Sequence, residues 1–160
     1  MRLGIVGHAA EKFTEVTAKK ALVVMGEAMF RHKATQVISG GCHMGGVDIW
    51  AKGKAISLGI SVVEFVPTKR TWSGPGGYQE RNLQIAEYCD VVLCVVVDEF
   101  PPGFKGMSFP YCYHCKGTRP PHIKSGGCWT AMRCKEAEWA VIHKDGSATG
   151  WRTTDAMRRL

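Results

Sequence analysis

The chain of 160 residues lacks any hydrophobic run that approaches the roughly 20 residues needed to span a membrane. It also lacks the apolar stretch and small-residue cleavage site of a signal peptide, because one short apolar segment after Met1 leads directly into Gly7-His8. No internal repeat or low-complexity segment is visible. With 45% hydrophobic and 22% charged residues, the composition is that of an ordinary globular protein. We therefore expect a cytoplasmic protein with no membrane partner.

Basic residues outnumber acidic ones, but they form no long run. The formal net charge is +7, from 21 Lys and Arg against 14 Asp and Glu. Such a charge favours anionic partners, and its scatter along the chain is compatible with phosphate binding without requiring nucleic acid. The seven cysteines are an odd number. Without a secretory signal they are more typical of thiols or metal ligands than of a disulfide framework.

Short apolar segments alternate along the chain with segments of helical periodicity. The pattern predicts strands over residues 2–6, 36–38, 60–66, 90–97 and 138–143, and helices over 13–32, 46–58, 78–88 and 130–136. The most hydrophobic stretch, DVVLCVVV, is typical of a central parallel strand covered on both faces. We therefore predict a single α/β domain over residues 1–160. Its fold is a Rossmann-like, doubly wound, mainly parallel sheet with helices on both faces and ligand loops at the carboxyl ends of the strands.

Two segments depart from this alternation. Residues 98–127 are rich in Pro, Gly, Cys and His and are too long for an ordinary connection, which indicates a functional or zinc-stabilised loop insertion. Residues 144–160 are polar, and we expect a turn there followed by a short or frayed terminal helix.

Two glycine-rich strings lie at predicted strand-to-helix junctions. They are SGGCHMGGVD, from Ser39 to Asp48, and SGGCWTA, from Ser125 to Ala131. Glycine lets backbone N–H groups approach an anion closely, and a following helix N-terminus adds partial positive charge. Glycine pairs also make simple tight turns, but two such strings in one small domain favour a ligand site.

Arg81 and Asn82 open a predicted helix between the two glycine strings. An arginine can bind phosphate through two parallel hydrogen bonds, whereas an isolated Arg-Asn pair usually lies on a solvated helix face. The predicted ligand-binding residues are Gly7, His8, Ser39, Gly40, Gly41, Gly45, Asp48, Arg81, Asn82, Ser125, Gly126, Gly127 and Thr130. Aromatic residues near these loops can stack on a base or simply pack as lids; they are Trp72, Tyr78, Tyr111, Tyr113 and Trp129.

A further motif places two cysteines and a histidine within the insertion and a third cysteine directly after it, as Cys112-x2-Cys115-x6-His122-x5-Cys128. These ligand types and spacings are typical of a closed, tetrahedral, structural zinc site. His114 and His43 are reserve ligands. The alternatives are that the cysteines are reduced surface thiols, or that Cys128 only lines the glycine loop.

The order of these motifs resembles that of the SLOG superfamily. The superfamily includes the lysine-decarboxylase-like phosphoribohydrolases that activate cytokinins and the DNA-processing protein A family. The matching segments are GIVGHAAEKF, SGGCHMGGVDIWAKGKA, YQERNLQIAEYCDVVLCVV and KSGGCWTA. The resemblance implies a Rossmann-like fold, a nucleotide-type ligand held by the glycine loops, and a possible homodimer.

The chain departs from the phosphoribohydrolases at the residues that carry their chemistry. Their PGG-x-GT-x-x-E loop is kept here only as Gly126, Gly127 and Thr130. Ser125 replaces the proline, Trp129 a glycine, Asn82 a lysine, and Arg133 the catalytic glutamate. A cation cannot act as that general base, so the hydrolase activity is not inherited. Four carboxylates remain as substitutes unless they are caps or surface charges: Asp48, Glu80, Asp98 and Glu99.

Three functions are compatible with these features. The leading hypothesis is a non-catalytic or weakly catalytic protein that binds a nucleotide or another phosphate-bearing small molecule. The first alternative is an N-glycosidic hydrolase acting on nucleoside monophosphates. The second alternative is single-stranded nucleic-acid binding, which the positive charge allows.

Overall fold

A computed structural model describes residues 1–153 of the chain. Six strands and four α-helices alternate along it. In chain order they are β1 (Arg2–Gly7), α1 (Glu15–Arg31), β2 (Gln36–Ser39), α2 (Val47–Ser57), β3 (Ser61–Glu64), α3 (Tyr78–Tyr88), β4 (Val91–Val97), α4 (Gly126–Ala131), β5 (Glu136–Ile142) and β6 (Ala148–Thr153). A short 3-10 turn, Ala10–Lys12, follows β1. None of the helices in the described part of the chain is long and apolar enough to cross a membrane.

The strands form one sheet in the order β3-β2-β1-β4-β5-β6. The first five are parallel, and β6 pairs antiparallel with β5. The predicted mainly parallel, doubly wound α/β fold is therefore confirmed. The strand order reverses between β1 and β4, which creates the switch point where open α/β sheets place their ligands.

The central strand β4 is buried along its whole length and contributes to two cores. Val91, Leu93 and Val95 pack with α1 and α2 on one face, in a cluster that includes Met25 and Ala51. The alternate residues of β4 point to the other face, where the core includes residues of α3 and α4. Helices therefore cover both faces, as a run of hydrophobic residues without alternation predicts.

Helix α4 begins four residues earlier than the sequence pattern predicts. We expected a helix over 130–136, whereas α4 spans Gly126–Ala131. The reason is a side-chain cap: the Ser125 hydroxyl accepts a hydrogen bond from the Gly127 N–H at 3.1 Å. The second glycine string therefore forms the first turn of the helix and does not precede it.

The turn expected after residue 143 is present, but the helix expected to follow it is wrong where the structure describes these residues. Residues 148–153 form β6, which extends the sheet beside β5, and not a helix. This strand is exposed along most of its length, so it has no alternation of hydrophobic residues by which to predict it. The remainder of the predicted terminal helix lies outside the described residues.

The segment between β4 and α4 contains no helix or strand among its described residues. Its two ends meet, because the Ile123 N–H donates to the Val97 carbonyl at 3.0 Å. Ile123 is also fully buried in the core beneath α1 and α2. The insertion therefore leaves the sheet and returns to it at the same point, beside the carboxyl end of β4.

Candidate functional site

A cleft of about 380 Å³ opens at the carboxyl ends of β1 and β4. This is the switch point of the sheet, where the loops after neighbouring strands diverge. Nine of the thirteen predicted ligand-binding residues line it: Gly7, His8, Asp48, Arg81, Asn82, Ser125, Gly126, Gly127 and Thr130. Residues far apart in sequence are thus brought together as the motif order predicts.

The back of the cleft is formed where α4 approaches the end of β1. A β-carbon on Gly127 would lie 2.7 Å from the Gly7 nitrogen, and one on Gly7 would collide with the Val95 carbonyl oxygen. Gly126 is different, because a β-carbon there would face open space with only the Asn82 Nδ2 atom at 3.9 Å. Gly7 and Gly127 therefore permit close backbone packing, while Gly126 leaves room on the cleft side.

His8 ties three segments of the cleft wall together. Its Nδ1 atom accepts a hydrogen bond from the Val97 N–H at 3.1 Å, and Nε2 donates to the carbonyls of Ile123 and Lys124, each at 3.1 Å. Burial lowers the pKa of His8 to about 3, with a smaller contribution from the charge of Lys12. His8 is thus a neutral, fully bonded tether between β1, β4 and the end of the insertion.

Four predicted ligand residues lie outside the lining of this cleft: Ser39, Gly40, Gly41 and Gly45. The Ser39 hydroxyl is fully buried, donates to the Asp48 carbonyl at 2.9 Å and accepts from the Gly41 N–H at 3.2 Å. Gly41 and Gly45 both adopt positive φ angles, of 59° and 73°, which other residues rarely tolerate. In the first glycine string these four residues shape a turn, and Cys42, His43 and Met44 reach the cleft instead.

Arg81 is held by the protein on several sides. One terminal nitrogen donates to the Gly40 carbonyl, Nε donates to the Asn82 Oδ1 atom at 2.7 Å, and the guanidinium lies 5.6 Å from the centre of the Tyr78 ring. The side chain therefore positions the first glycine string as well as lining the cleft. Its other terminal nitrogen has N–H groups to offer a ligand.

Asp48 is a buried carboxylate in the cleft wall, with 8% of the residue exposed. Burial raises its pKa to about 6, and the charge of Arg81 and a hydrogen bond from the Cys42 N–H oppose that shift. A carboxyl with a pKa near 6 can hold or release a proton close to neutral pH. Asp48 is the one carboxylate among the described residues that line the cleft.

The other three candidate carboxylates lie outside the lining of the cleft. Glu80 is exposed and accepts the Gly76 N–H at 2.6 Å, and Asp98 contacts the His143 Nδ1 atom at 2.6 Å. Glu99 is exposed and, like these two, does not line the cleft. Arg133, which stands in the place of the family's glutamate, stacks on the Trp129 ring at 3.6 Å and also lies outside the lining.

Two cations of the cleft were not among the predicted site residues. Lys12 comes from the 3-10 turn after β1, and Lys124 comes from the end of the insertion. Only 15% of the Lys12 side chain is exposed. The signal for Lys124 was present in the string KSGG, where a lysine directly precedes a glycine-rich turn. Nothing local marks Lys12, since it enters the cleft only through the course of the loop after β1.

A second cluster is formed by the four predicted metal ligands, one of which, Cys128, lies in α4. Cys112, Cys115, His122 and Cys128 are all buried, and one ligand atom from each lies within 4.8 Å of the others. Three thiols and one imidazole at this separation can hold a metal ion in four-coordinate geometry. The reserve ligands are not needed, because neither His43 nor His114 belongs to this group.

The orientation of His122 fits metal binding. Its Nδ1 atom donates to the Pro120 carbonyl at 2.7 Å, which leaves Nε2 as the atom with a free lone pair. That Nε2 atom is buried and has no hydrogen-bond partner. An unpartnered buried acceptor is costly, and a metal ion satisfies it.

The sulfur atoms of the cluster are also arranged for coordination. A hydrogen bond from the Cys128 thiol lowers the pKa of Cys112 to about 3, against the opposing effect of burial, and the same pairing raises the pKa of Cys128. The Trp139 indole N–H donates to the Cys128 Sγ atom at 3.4 Å. Donors directed at sulfur stabilise the thiolate form, which is the form that binds metals.

No protein-family model matches the chain. A search of curated proteins also finds no match. Among solved structures, the X-ray structure of the structural-genomics protein TM1055 is similar, with 20% sequence identity and a TM-score of 0.44. The similarity covers 59% of this chain and 60% of that one, so this chain spans less than two thirds of its length. A partial similarity of this kind carries no information about the ligand.

Proposed function

We propose that the protein binds a nucleotide or another phosphate-bearing small molecule in the cleft between β1 and β4. The observation that carries the proposal is the position of this cleft at the switch point of the sheet, lined by residues from three separate glycine-containing loops. Open α/β sheets bind their ligands in the crevice outside the strand ends at this point. A volume of about 380 Å³ also lies in the range of small-molecule sites.

The electrostatics of the cleft favour an anion. Three of its lining residues, Lys12, Arg81 and Lys124, carry positive charge, against the carboxyl of Asp48. Asn82 and the open side of Gly126 add a polar surface beside Arg81. The charge balance therefore supports a phosphate group as the part of the ligand that the loops hold.

Aromatic side chains at the rim provide a surface for a base. Trp72 lines the cleft with 43% of the residue exposed, and its ring meets Trp129 edge to face at a centroid distance of 5.2 Å. Tyr78 also lines the cleft, and the centre of its ring lies 5.6 Å from the Arg81 guanidinium. A planar base stacked on these rings would place its phosphate toward the glycine loops.

Calorimetric titration of the four common nucleoside 5′-monophosphates tests this proposal. We expect saturable binding of at least one of them, and a loss of roughly 30-fold in affinity for Arg81→Glu, because an arginine-to-phosphate contact is charge-assisted. Arg81→Lys should fall between wild type and Arg81→Glu. Binding of single-stranded oligonucleotides without any binding of mononucleotides would contradict the proposal and favour a nucleic-acid interface.

A hydrolase acting on the glycosidic bond is the second candidate, because Asp48 lies in the cleft with a pKa raised to about 6. This carboxyl can act as the general acid or general base, a role that Arg133 cannot fill. Release of free base from nucleoside monophosphates, abolished in Asp48→Asn, would establish this activity. Binding without turnover would leave the cleft as a binding site.

We also propose that the buried Cys3His cluster holds zinc. Three thiolates and one imidazole prefer zinc among the common divalent ions, and four protein ligands leave no open position for a substrate. The role is then structural: the metal holds an insertion that has no helix or strand of its own. Zinc would fix residues 112–128, four of which line the cleft, and would form no part of the chemistry.

The motif order supports a relationship to the SLOG superfamily. The four segments on which the resemblance rests each contribute at least one residue to the cleft: Gly7, Asp48, Arg81 and Gly126. Convergence of matching segments on one site is what a shared nucleotide-binding mode would produce.

A further inference from the structure

Lys12 is a partly buried cation with a distant counter-charge. Its side chain is 15% exposed, and among the described residues it pairs with Glu11 alone, at 3.9 Å, whose own side chain is 45% exposed. The Phe104 ring centre lies 6.0 Å from the ammonium nitrogen. Buried charges in folded proteins are usually paired with groups at hydrogen-bond distance. Lys12 instead faces a cleft, so the acceptor that it needs can come from a ligand.

Lys124 lines the same cleft and belongs to the end of the insertion, which His8 holds through a hydrogen bond. Its backbone is fixed, since its carbonyl accepts from His8 and its N–H donates to the Phe109 carbonyl at 3.2 Å. Its ammonium nitrogen lies 6.0 Å from the centre of the Tyr113 ring. Burial lowers the pKa of Lys12, and the positive charge of Lys124 lowers it further. The two ammonium groups therefore repel each other in the protein without a ligand.

The remaining charges of the cleft compensate one another. Arg81 acts electrostatically on Asp48, and both are held by the first glycine string. Among the residues that line the cleft, Lys12 and Lys124 are left with two positive charges, since Glu11, which pairs with Lys12 at 3.9 Å, lies outside the lining. A ligand with one negative charge would neutralise only one of them, whereas a phosphate monoester carries close to two negative charges at pH 7.

Building on the proposed function, we infer that Lys12 and Lys124 together bind the ligand's phosphate as a dianionic monoester. Arg81 adds a hydrogen-bond contact to the same phosphate, while its charge is offset by Asp48 and its other nitrogens hold the Gly40 carbonyl and Asn82 in place. The pair of lysines selects terminal phosphates over cyclic or chain-internal phosphodiesters, which carry a single negative charge. The substrate class is thus a 5′-mononucleotide or a sugar monophosphate, and not an oligonucleotide.

Two comparisons test this inference by calorimetry on the full chain. The first compares adenosine, guanosine, cytidine and uridine 5′-monophosphates with the free nucleosides and the 3′,5′-cyclic monophosphates. The second compares wild type with Lys12→Met, Lys124→Met and Lys12→Arg. Methionine keeps most of the alkyl stem and removes the charge. Lys135→Met is the matched control, because Lys135 is exposed and precedes the amino end of β5, whereas the cleft lies at the carboxyl ends of the strands.

We expect the best 5′-monophosphate to bind at least tenfold more tightly than its cyclic form. Each lysine-to-methionine change should weaken its binding by roughly tenfold or more, Lys12→Arg should retain most of the affinity, and Lys135→Met should match wild type. Melting curves establish that each variant is folded, and Lys124→Met decides the outcome if Lys12→Met does not fold.

These experiments distinguish failure of the proposed function from failure of the inference about the two lysines. If wild type binds none of the monophosphates, the proposed function fails and this inference fails with it. If wild type binds them but the folded methionine variants bind equally well, or the cyclic forms bind as tightly, only the role of the lysine pair is overturned.

Discussion

Gly127 packs against Gly7 so closely that a β-carbon on Gly127 would lie 2.7 Å from the Gly7 nitrogen and 3.0 Å from its α-carbon. The contact joins the first turn of α4 to the end of β1, at the back of the cleft. Both atoms belong to the backbone, so neither can rotate away. The neighbouring Gly126 has no such contact, and the two glycines of one motif therefore have different reasons to be glycine.

Gly127→Ala should destabilise the fold, whereas Gly126→Ala should not. The alanine methyl at residue 127 forces α4 and β1 apart, and overpacking of this kind costs about 1 to 3 kcal/mol. At residue 126 the methyl meets open space, and alanine is the better helix former. Urea denaturation of both variants measures the difference. Equal stability of the two would show that the close approach between α4 and β1 is not needed.

From the metal cluster we expect about one zinc ion per chain, and the Cys115→Ser variant should lose this ion. Oxygen is a poorer zinc ligand than thiolate, and three remaining ligands do not close the site. Elemental analysis after purification without chelator measures the stoichiometry. Cys42→Ser is the control, because Cys42 lies in the cleft and outside the cluster, and it should keep the metal. A metal-free wild-type protein, or a Cys115→Ser variant with full zinc, would refute the assignment.

Removal of the metal should also weaken ligand binding. Lys124, Ser125, Gly126 and Gly127 line the cleft and lie in sequence between the ligands His122 and Cys128. Without the ion, this segment loses two of its anchors. A strong chelator should therefore reduce the affinity for nucleoside monophosphates, and added zinc should restore it. Unchanged affinity in protein shown to be metal-free would mean that ligand binding in the cleft does not depend on the metal site.

Asp48 should make the protein less stable as pH rises. Its folded pKa of about 6 lies above the unfolded value near 4, so the neutral carboxyl is favoured by folding. The stabilisation is fully present below the unfolded pKa and is lost as pH rises through the folded pKa. Compared with Asp48→Asn, wild type should lose on the order of 3 kcal/mol of unfolding free energy between about pH 4 and pH 7.

Chemical denaturation of wild type and Asp48→Asn across this range is the measurement. Other titrating groups, including His8, are shared by both proteins and cancel in the difference. Parallel stability profiles would mean that the carboxyl is better solvated than its burial indicates.

Glu138 should contribute far more to stability than Glu136 on the same strand. The Glu138 side chain is 8% exposed and contacts Arg31 at 2.5 Å, His32 at 2.9 Å and Arg152 at 3.5 Å, joining the end of α1 to β5 and β6. Glu136 is 41% exposed and contacts only Arg152, at 3.1 Å, among the described residues.

Glu138→Gln should therefore cost about 1 to 3 kcal/mol, since it leaves cations around a buried site without their counter-charge. Glu136→Gln should change stability by less than about 0.5 kcal/mol, as is usual for exposed ion pairs. Thermal unfolding of the two variants under identical conditions compares them. A loss in Glu136→Gln as large as that in Glu138→Gln would contradict the burial argument.

Local sequence determined the features that depend on near neighbours. The run DVVLCVVV predicted a central strand buried on both faces, and the structure places its residues Val91–Val97 at the centre of the sheet. The metal ligands fall within 17 consecutive residues, so the end of the insertion and the first turn of α4 can bring them together, and they do. The order of strands and helices as far as β5 was likewise readable, because each of those elements carries its own periodicity.

Tertiary structure alone decided what two identical tetrapeptides do. Ser39-Gly40-Gly41-Cys42 and Ser125-Gly126-Gly127-Cys128 have the same sequence, SGGC. In the first, Gly41 takes a positive φ angle and the glycines remain outside the cleft, held by Arg81. In the second, the serine caps a helix whose glycines line the cleft. Lys12 and the exposed strand β6 belong to the same class, because partners distant in sequence determine their roles and local patterns do not encode them.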